Sequence, residues 1–296
     1  MKQIISLFIL AIGLALVAAF MLRGTPAIAA PSMGTMYAFP TALAINKATV
    51  ITLTIPIPDP ALIPNSVNLL KLGPSDAQPT ILGILHDDGK SGDAVAGDGI
   101  YTIQVPFDET STGNFQLEVS AAFRGLLRRV VTPPITIAVT LDGTIPLPPD
   151  PGRAGLTTLA GIDSNGNGVR DDIERYIALT YPQSAKTRAA LTQMAAALES
   201  ELLNASSPQL AVPDTLRWAY SADCLDYVMA SSDADVAGLA NAANALAALE
   251  SQALNTPSRA QADFQVNGEL GAFTYSRPNF TGLAARCDFN PGNFPN

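Results

Sequence analysis

The stretch Gly99–Phe123, GIYTIQVPFDETSTGNFQLEVSAAF, has the clearest strand pattern in the first half of this chain. Apolar and polar residues alternate in it with a period of two, which is typical of β-strands with one face in a core and the other in water. The apolar members are Tyr101, Ile103, Val105, Phe115, Leu117 and Val119, and the polar members are Thr102, Gln104, Gln116 and Glu118. The stretch therefore predicts two strands separated by a turn.

Similar short runs rich in Val, Ile and Thr fill the sequence from Met33 to Thr140 and are separated by Pro, Gly, Asn and Asp. Six or seven strands over such a length favour a β-sandwich of the immunoglobulin-like kind over residues 30–140. The Trp and the paired Cys of antibody domains are absent from this region, so we expect a different branch of that architecture.

The pattern changes after a proline-rich segment. Residues 141–156, LDGTIPLPPDPGRAGL, predict a stiff, extended linker. Beyond it, apolar residues recur at helical spacing, as in the stripe Leu191, Met194, Leu198 and Leu202, and Thr256 before Pro257 is typical of a helix N-cap. The predicted fold class is therefore α+β in two domains, with an α-helical domain over residues 157–296.

Composition excludes several classes of function. The chain has 296 residues, 17 of them basic, and a net charge of −9, which argues against nucleic-acid binding because phosphates need clustered Lys and Arg. His86 is the single histidine, so zinc sites built from several histidines are excluded and a His-paired nucleophile would have only His86 to use. His86 itself fits a surface or strand-end position better than a ligand or base.

The N-terminus is typical of an export signal. A basic start, an uncharged run from Ile4 to Leu22 and the small residues Ala27 and Ala29 predict a signal peptide over residues 1–29. A retained signal anchor is the alternative, because 19 apolar residues are long enough to cross a bilayer of about 30 Å. Only in that case do we expect the protein to be attached to a membrane.

The segment Asp163–Glu174, DSNGNGVRDDIE, has the spacing of a calcium-binding loop. The predicted ligands are Asp163, Asn165, Asn167, Asp171 and Glu174, together with the carbonyl of Val169. Gly168 stands where the loop turns sharply, and Arg170 replaces the apolar residue usual in paired EF-hands, so we expect an isolated loop. A helix N-terminus with Asx turns is the other interpretation.

In this spacing the loop resembles the aspartate-rich calcium repeats of the thrombospondin type 3 and dockerin families. The resemblance covers these twelve residues only and implies bound calcium. Asn165 and Asn167 stand where those families often have Asp, so we expect weak binding, with a dissociation constant of about 10⁻⁴ to 10⁻³ M.

A second acidic loop lies between two predicted strands, in HDDGKSGDAVAGDGIYT from His86 to Thr102. It resembles a segment common in immunoglobulin-like domains of bacterial secreted and surface proteins, which marks the domain and no activity. Its carboxylates are a weaker candidate metal site, formed by Asp87, Asp88, Asp93 and Asp98. Glycine and aspartate are equally expected in hairpin loops without a metal.

Cys224 and Cys287 predict one disulfide, since a lone pair in an exported protein is most simply bridged, although two buried free thiols are the alternative. Arg124, Arg128 and Arg129 favour a solvated strand edge over a binding site.

The whole layout resembles that of bacterial exported proteins and predicts a non-catalytic, calcium-binding protein with a structural, adhesive or ligand-binding role. We expect it in the periplasm, outside the cell or on its surface, where its partner is an extracellular or cell-envelope ligand or protein. The alternative is a secreted hydrolase with a carboxylate site around Asp223, Asp226 and Asp288.

Overall fold

The computed structural model describes residues 31–73, 78–141, 143, 147–270 and 274–294. The predicted signal peptide, residues 1–29, lies outside these ranges. In the described part of the chain, strands come first and helices follow, and both belong to one compact unit, Ser32–Asn296.

Nine strands in the described residues form two sheets. They are β1 Tyr37–Phe39, β2 Ala42–Ala44, β3 Thr49–Pro56, β4 Asn68–Lys71, β5 Thr80–Ile84, β6 Ile100–Phe107, β7 Gly113–Ala121, β8 Val130–Val131 and β9 Ile135–Thr140. One sheet has the order β1-β3-β6 and the other β2-β9-β7-β4-β5, with β8 paired to β7. Pairing is antiparallel except between β2 and β9, which run parallel.

The two sheets share one apolar core. Leu53 and Ile55 of β3 are buried in the same cluster as Leu117 of β7 and Ile137 of β9. In β7 the predicted alternation is confirmed, since Leu117 and Val119 are buried while Gln116 is exposed. Strand pairing satisfies the backbone polar groups that this core would otherwise leave without partners.

Six α-helices and three short 3₁₀ turns follow in the described residues. The helices are α1 Asp171–Thr180, α2 Ala185–Leu203, α3 Pro208–Met229, α4 Val236–Ala253, α5 Pro257–Glu269 and α6 Phe280–Leu283, and the 3₁₀ turns span Gly152–Leu156, Ala284–Arg286 and Pro291–Asn293. The mixed α+β class is thus confirmed. Thr256 caps α5 by accepting a hydrogen bond from the Arg259 amide, with Pro257 at the first helical position.

Strands and helices pack directly against each other. Phe39 of β1 lies 5.4 Å from the Phe289 ring and 5.8 Å from the Phe294 ring, and Phe39 shares the helical core. The Arg217 side chain on α3 also donates a hydrogen bond to the Thr35 carbonyl (3.2 Å). The helices therefore cover part of the smaller sheet.

This cover corrects one prediction about β6. Thr102 was expected on the water-facing side, but it is only 4% exposed. It lines a small cavity together with Tyr220 of α3, so the face of β6 opposite the sheet core is covered by a helix. Both faces of this part of the strand are shielded from water.

The described part of the proline-rich segment lies on the helices. Arg175 donates a hydrogen bond to the Pro148 carbonyl (2.7 Å), and Arg259 donates one to the Gly155 carbonyl (2.7 Å). No helix in the described ranges combines the length and the apolar character needed to cross a membrane.

Candidate metal centre

Three carboxylates converge in the loop between β5 and β6. Asp87, Asp93 and Asp98 each offer an oxygen, and these oxygens lie within 4.8 Å of one another. Among the described residues, this is the one group of three or more His, Cys, Asp or Glu side chains that are close enough to share a metal ion. We call it the aspartate triad.

The loop folds around the triad because its carboxylates bind loop amides. Asp87 accepts hydrogen bonds from the amides of Gly97 (2.5 Å) and Gly99 (2.9 Å). Asp93 accepts one from the Gly89 amide (2.6 Å). Gly97 and Gly99 have φ angles of +79° and +83°, which glycine adopts at little cost. The glycines predicted as turn residues thus allow the carboxylates to gather.

Burial shifts the pKa of two carboxylates in the triad. Burial, as the largest cause, and the charges of Asp87 and Asp93 together raise the pKa of Asp98 to about 6, against hydrogen bonds from the Ile100 amide and the Tyr220 hydroxyl. Burial also raises the pKa of Asp93. A divalent cation would offset this repulsion, and carboxylate oxygens are the ligands that hard cations prefer.

Helix α3 contacts the triad directly. The Tyr220 hydroxyl donates a hydrogen bond to Asp98 (2.9 Å), and the Arg286 guanidinium stacks 4.1 Å from the Tyr220 ring centre. A cavity of about 20 Å³ lies between them, with Thr54 and Asp288 also in its wall. Such a volume accommodates one water molecule.

Two buried polar atoms in this cavity wall have no hydrogen-bond partner within the described part of the protein, Thr54 Oγ1 and Arg286 Nη1. Buried polar atoms are normally hydrogen-bonded. A water molecule at this place would supply the missing partner, and Asp93 and Asp98 of the triad also lie in the cavity wall.

The other residues of the acidic loop lie outside the triad. Asp88 is exposed and accepts a hydrogen bond from the Lys90 amide (3.1 Å). His86 pairs through its backbone with Thr102 and exposes its side chain, in agreement with the predicted strand-end position. The structure thus brings together three of the four carboxylates predicted for this site.

The predicted calcium loop is closed by its own hydrogen bonds. Asp163 accepts hydrogen bonds from the amides of Gly166 (2.8 Å), Asn167 (3.2 Å) and Gly168 (2.9 Å). Asp171 accepts hydrogen bonds from the Ser164 amide and hydroxyl. Asp163 and Asp171 are therefore both engaged in shaping the loop.

Glu174, the last predicted ligand, is held by two asparagine side chains. It accepts hydrogen bonds from Asn167 Nδ2 (2.6 Å) and Asn165 Nδ2 (3.3 Å). Burial raises the pKa of Glu174 to about 7. Cation binding would require both amides to present oxygen instead of nitrogen. Calcium binding by this loop stays a prediction.

Arg170 has a structural role that the spacing does not reveal. Its side chain is buried, pairs with Asp172 (2.9 Å) and Glu199 (3.4 Å), and donates a hydrogen bond to the Ala253 carbonyl (3.1 Å). It thereby joins the predicted calcium loop to α2 and α4. The signal in the sequence was a charged residue at a position that is usually apolar.

The carboxylates of the hydrolase hypothesis lie in two different environments. Asp223 and Asp226 both form ion pairs with Arg277, at 3.1 and 2.7 Å. Asp288 instead lines the cavity beside the triad, where burial raises its pKa to about 6.

No family model, curated protein or solved structure matches this chain.

The predicted disulfide Cys224–Cys287 is confirmed, with Cα atoms 4.9 Å apart. It joins α3 to the segment that carries Arg286 and Asp288 into the cavity wall. The disulfide thus ties α3, which carries Tyr220, to the segment that carries Arg286 and Asp288 on the helical side of the cavity.

A second acidic pocket, of about 220 Å³, lies in the helical region and contains Glu201, Glu250, Asp263 and Trp218. Burial raises the pKa of Glu201 to about 7, although Thr215 donates a hydrogen bond to it (3.0 Å). Because the folded pKa exceeds the unfolded one, this group favours folding at low pH, and its contribution is lost as the pH rises through about 7.

Glu201→Gln is therefore expected to unfold with nearly wild-type free energy at pH 5 but to gain about 2 kcal/mol over the wild type at pH 8. Urea unfolding at both pH values measures this difference. Asp108→Asn, which changes an exposed carboxylate, is the matched control and should show no such dependence. A difference that is equal at both pH values would contradict the assignment to Glu201.

Proposed function

We propose that this is a non-catalytic, exported calcium-binding protein in which the cation fastens the β5–β6 loop against helix α3. The observation that carries this proposal is the convergence of Asp87, Asp93 and Asp98 within 4.8 Å. A ligand set made only of oxygen favours a hard cation over transition metals, and its irregular, glycine-rich loop suits the irregular coordination of calcium better than the octahedron of magnesium.

The proposed role is structural or adhesive, because the triad lies where strands meet helices. Asp98 belongs to the triad and also accepts the hydrogen bond of Tyr220, so a cation that orders Asp98 also orders the contact with α3. The loop Asp163–Glu174 is the second proposed calcium site, supported by its ligand spacing.

Export is supported by the apolar N-terminal run and by the disulfide, which persists in oxidising compartments. The hydrolase alternative has less support. It needs several free carboxylates facing a substrate, whereas Asp223 and Asp226 are paired with Arg277 and, of the three, Asp288 alone lines the small cavity beside the triad.

We also infer an immunoglobulin-like relationship for the strand region. The support is its two largely antiparallel sheets around one core and its leading segment, which is shared between them. In that segment β1 pairs with β3 in one sheet, while β2 pairs in parallel with β9 in the other.

The test is calorimetric titration of calcium into the chelator-treated protein at about pH 7.5, with magnesium as a parallel titrant. We expect binding with a dissociation constant of about 10⁻⁴ to 10⁻³ M, accompanied by a higher melting temperature. Asp93→Asn/Asp98→Asn should lose the triad site, and Asp163→Asn/Glu174→Gln should lose the loop site.

Asp108→Asn should bind as the wild type does. If up to about 10 mM calcium gives neither a heat of binding nor a change in melting temperature, the proposal is refuted. Equal binding of magnesium would refute the assignment to calcium. If Asp93→Asn/Asp98→Asn still binds calcium as the wild type does, the calcium site is the loop Asp163–Glu174 and not the triad.

A further inference from the structure

The turn between β7 and β8 forms an exposed tip. Residues 124–129, RGLLRR, are all exposed, and Leu127 is fully so. An exposed pair of leucines is not needed to close a hairpin, for which polar turn residues suffice. We call residues 124–129 the RGLLRR tip.

Further apolar side chains lie at the same end of the sheets. Ile63 is exposed, and its backbone amide donates a hydrogen bond to the Ala122 carbonyl (2.9 Å) just before the tip. Val131, just after the tip, is also exposed. Clustered apolar side chains on a surface often mark a contact with a partner or a membrane.

The tip is positively charged although the protein is acidic. Arg124, Arg128 and Arg129 fall within six residues of a chain whose net charge is −9. Residues 119–141 contain no Asp or Glu, so no acidic neighbour in sequence neutralises these arginines. Leucines flanked by arginines match the interface of an anionic bilayer, where apolar groups enter the acyl boundary and guanidinium groups meet phosphates.

The tip is held in a defined shape. Phe123 is buried beneath it, the Arg124 amide donates a hydrogen bond to the Ala61 carbonyl (2.8 Å), and Arg129 donates one to Ser120 (2.7 Å). Gly125 has a φ of +85°, which permits the sharp turn. The leucines are therefore presented by a braced turn.

The described chain begins near the base of this tip. The Ser32 amide donates a hydrogen bond to Asp59 (2.9 Å), and Asp59 also accepts one from Ala61, the residue whose carbonyl binds the Arg124 amide. Hydrogen bonds thus tie the base of the tip to the segment Asp59–Ala61.

We propose that the RGLLRR tip, with Ile63, is a membrane-surface contact that inserts Leu126 and Leu127 into an anionic bilayer. This proposal is independent of calcium binding. A second copy of the chain or another protein could also cover the leucines, and the experiment below separates these cases.

Leu127→Trp is made in the full-length chain in a Trp218→Phe background, so that emission reports on the tip alone. With vesicles of equal parts phosphatidylglycerol and phosphatidylcholine, we expect a blue shift and quenching by brominated lipid. Leu179→Trp in the same background is the matched control, because Leu179 is exposed on α1, and its emission should not change.

Arg124→Gln/Arg128→Gln should weaken the lipid binding that the blue shift reports by about fivefold. Salt at about 0.5 M, or vesicles of phosphatidylcholine alone, should have the same effect. Unchanged emission of the Leu127→Trp variant at saturating lipid would overturn the proposal. A blue shift that needs no lipid and grows with protein concentration would also overturn it in favour of self-association.

Discussion

Arg170→Ala is expected to lower the free energy of unfolding by about 3 to 5 kcal/mol, because removing one partner of a buried ion pair leaves the other charge uncompensated. Arg170 is 1% exposed and is paired with Glu199, which is also buried. The change further leaves the Ala253 carbonyl without this donor. Urea unfolding in the absence of calcium measures the loss.

A double variant without the buried charges and an exposed-arginine control test this explanation. Arg170→Met/Glu199→Gln removes the buried charge together with its main buried partner, so we expect it to lose less stability than Arg170→Ala alone. Arg128→Ala changes an exposed arginine and should stay within about 0.5 kcal/mol of the wild type. A loss below about 1 kcal/mol for Arg170→Ala would show that Arg170 is not a structural anchor.

Removal of the disulfide should have an effect of similar size. Cys224→Ser/Cys287→Ser frees a loop with a sequence separation of 63 residues, for which the chain-entropy estimate is a loss of about 4 kcal/mol. Because the disulfide ties the cavity wall of Arg286 and Asp288 to α3, we also expect weaker ordering at the triad.

Denaturant unfolding with and without reductant tests this expectation. The reduced wild type should fall to the level of the double variant, and the variant should not respond to reductant. Equal stability of oxidised and reduced wild type would contradict a stabilising role for the bond.

Periodicity in the sequence predicted the strand region, the helical region and the cap at Thr256, because these depend on neighbours along the chain. It failed for Thr102, whose burial depends on a helix more than 100 residues later. The hydrogen bond between Asp98 and Tyr220 joins residues 122 positions apart and has no local signature.

The sequence predicted which residues form the candidate site, but it made this loop the weaker of the two candidate metal sites. Glycine and aspartate suggested that the Asp87–Asp98 loop could gather carboxylates, but their mutual distances depend on positive φ angles at Gly97 and Gly99. The loop at Asp163–Glu174 has the better spacing, yet Asn165 and Asn167 direct amide nitrogen toward Glu174. Spacing along a chain does not fix which atom of an amide faces inward.

The parallel pair of β2 and β9 can form only late in synthesis. Ala42 pairs with Ala138, so the edge strand β2 has no partner strand until almost one hundred further residues have been synthesised. A growing chain emerges from its N-terminus, and unpaired strand edges invite association with other chains. The edge of the larger sheet therefore stays open to such association until β9 has emerged.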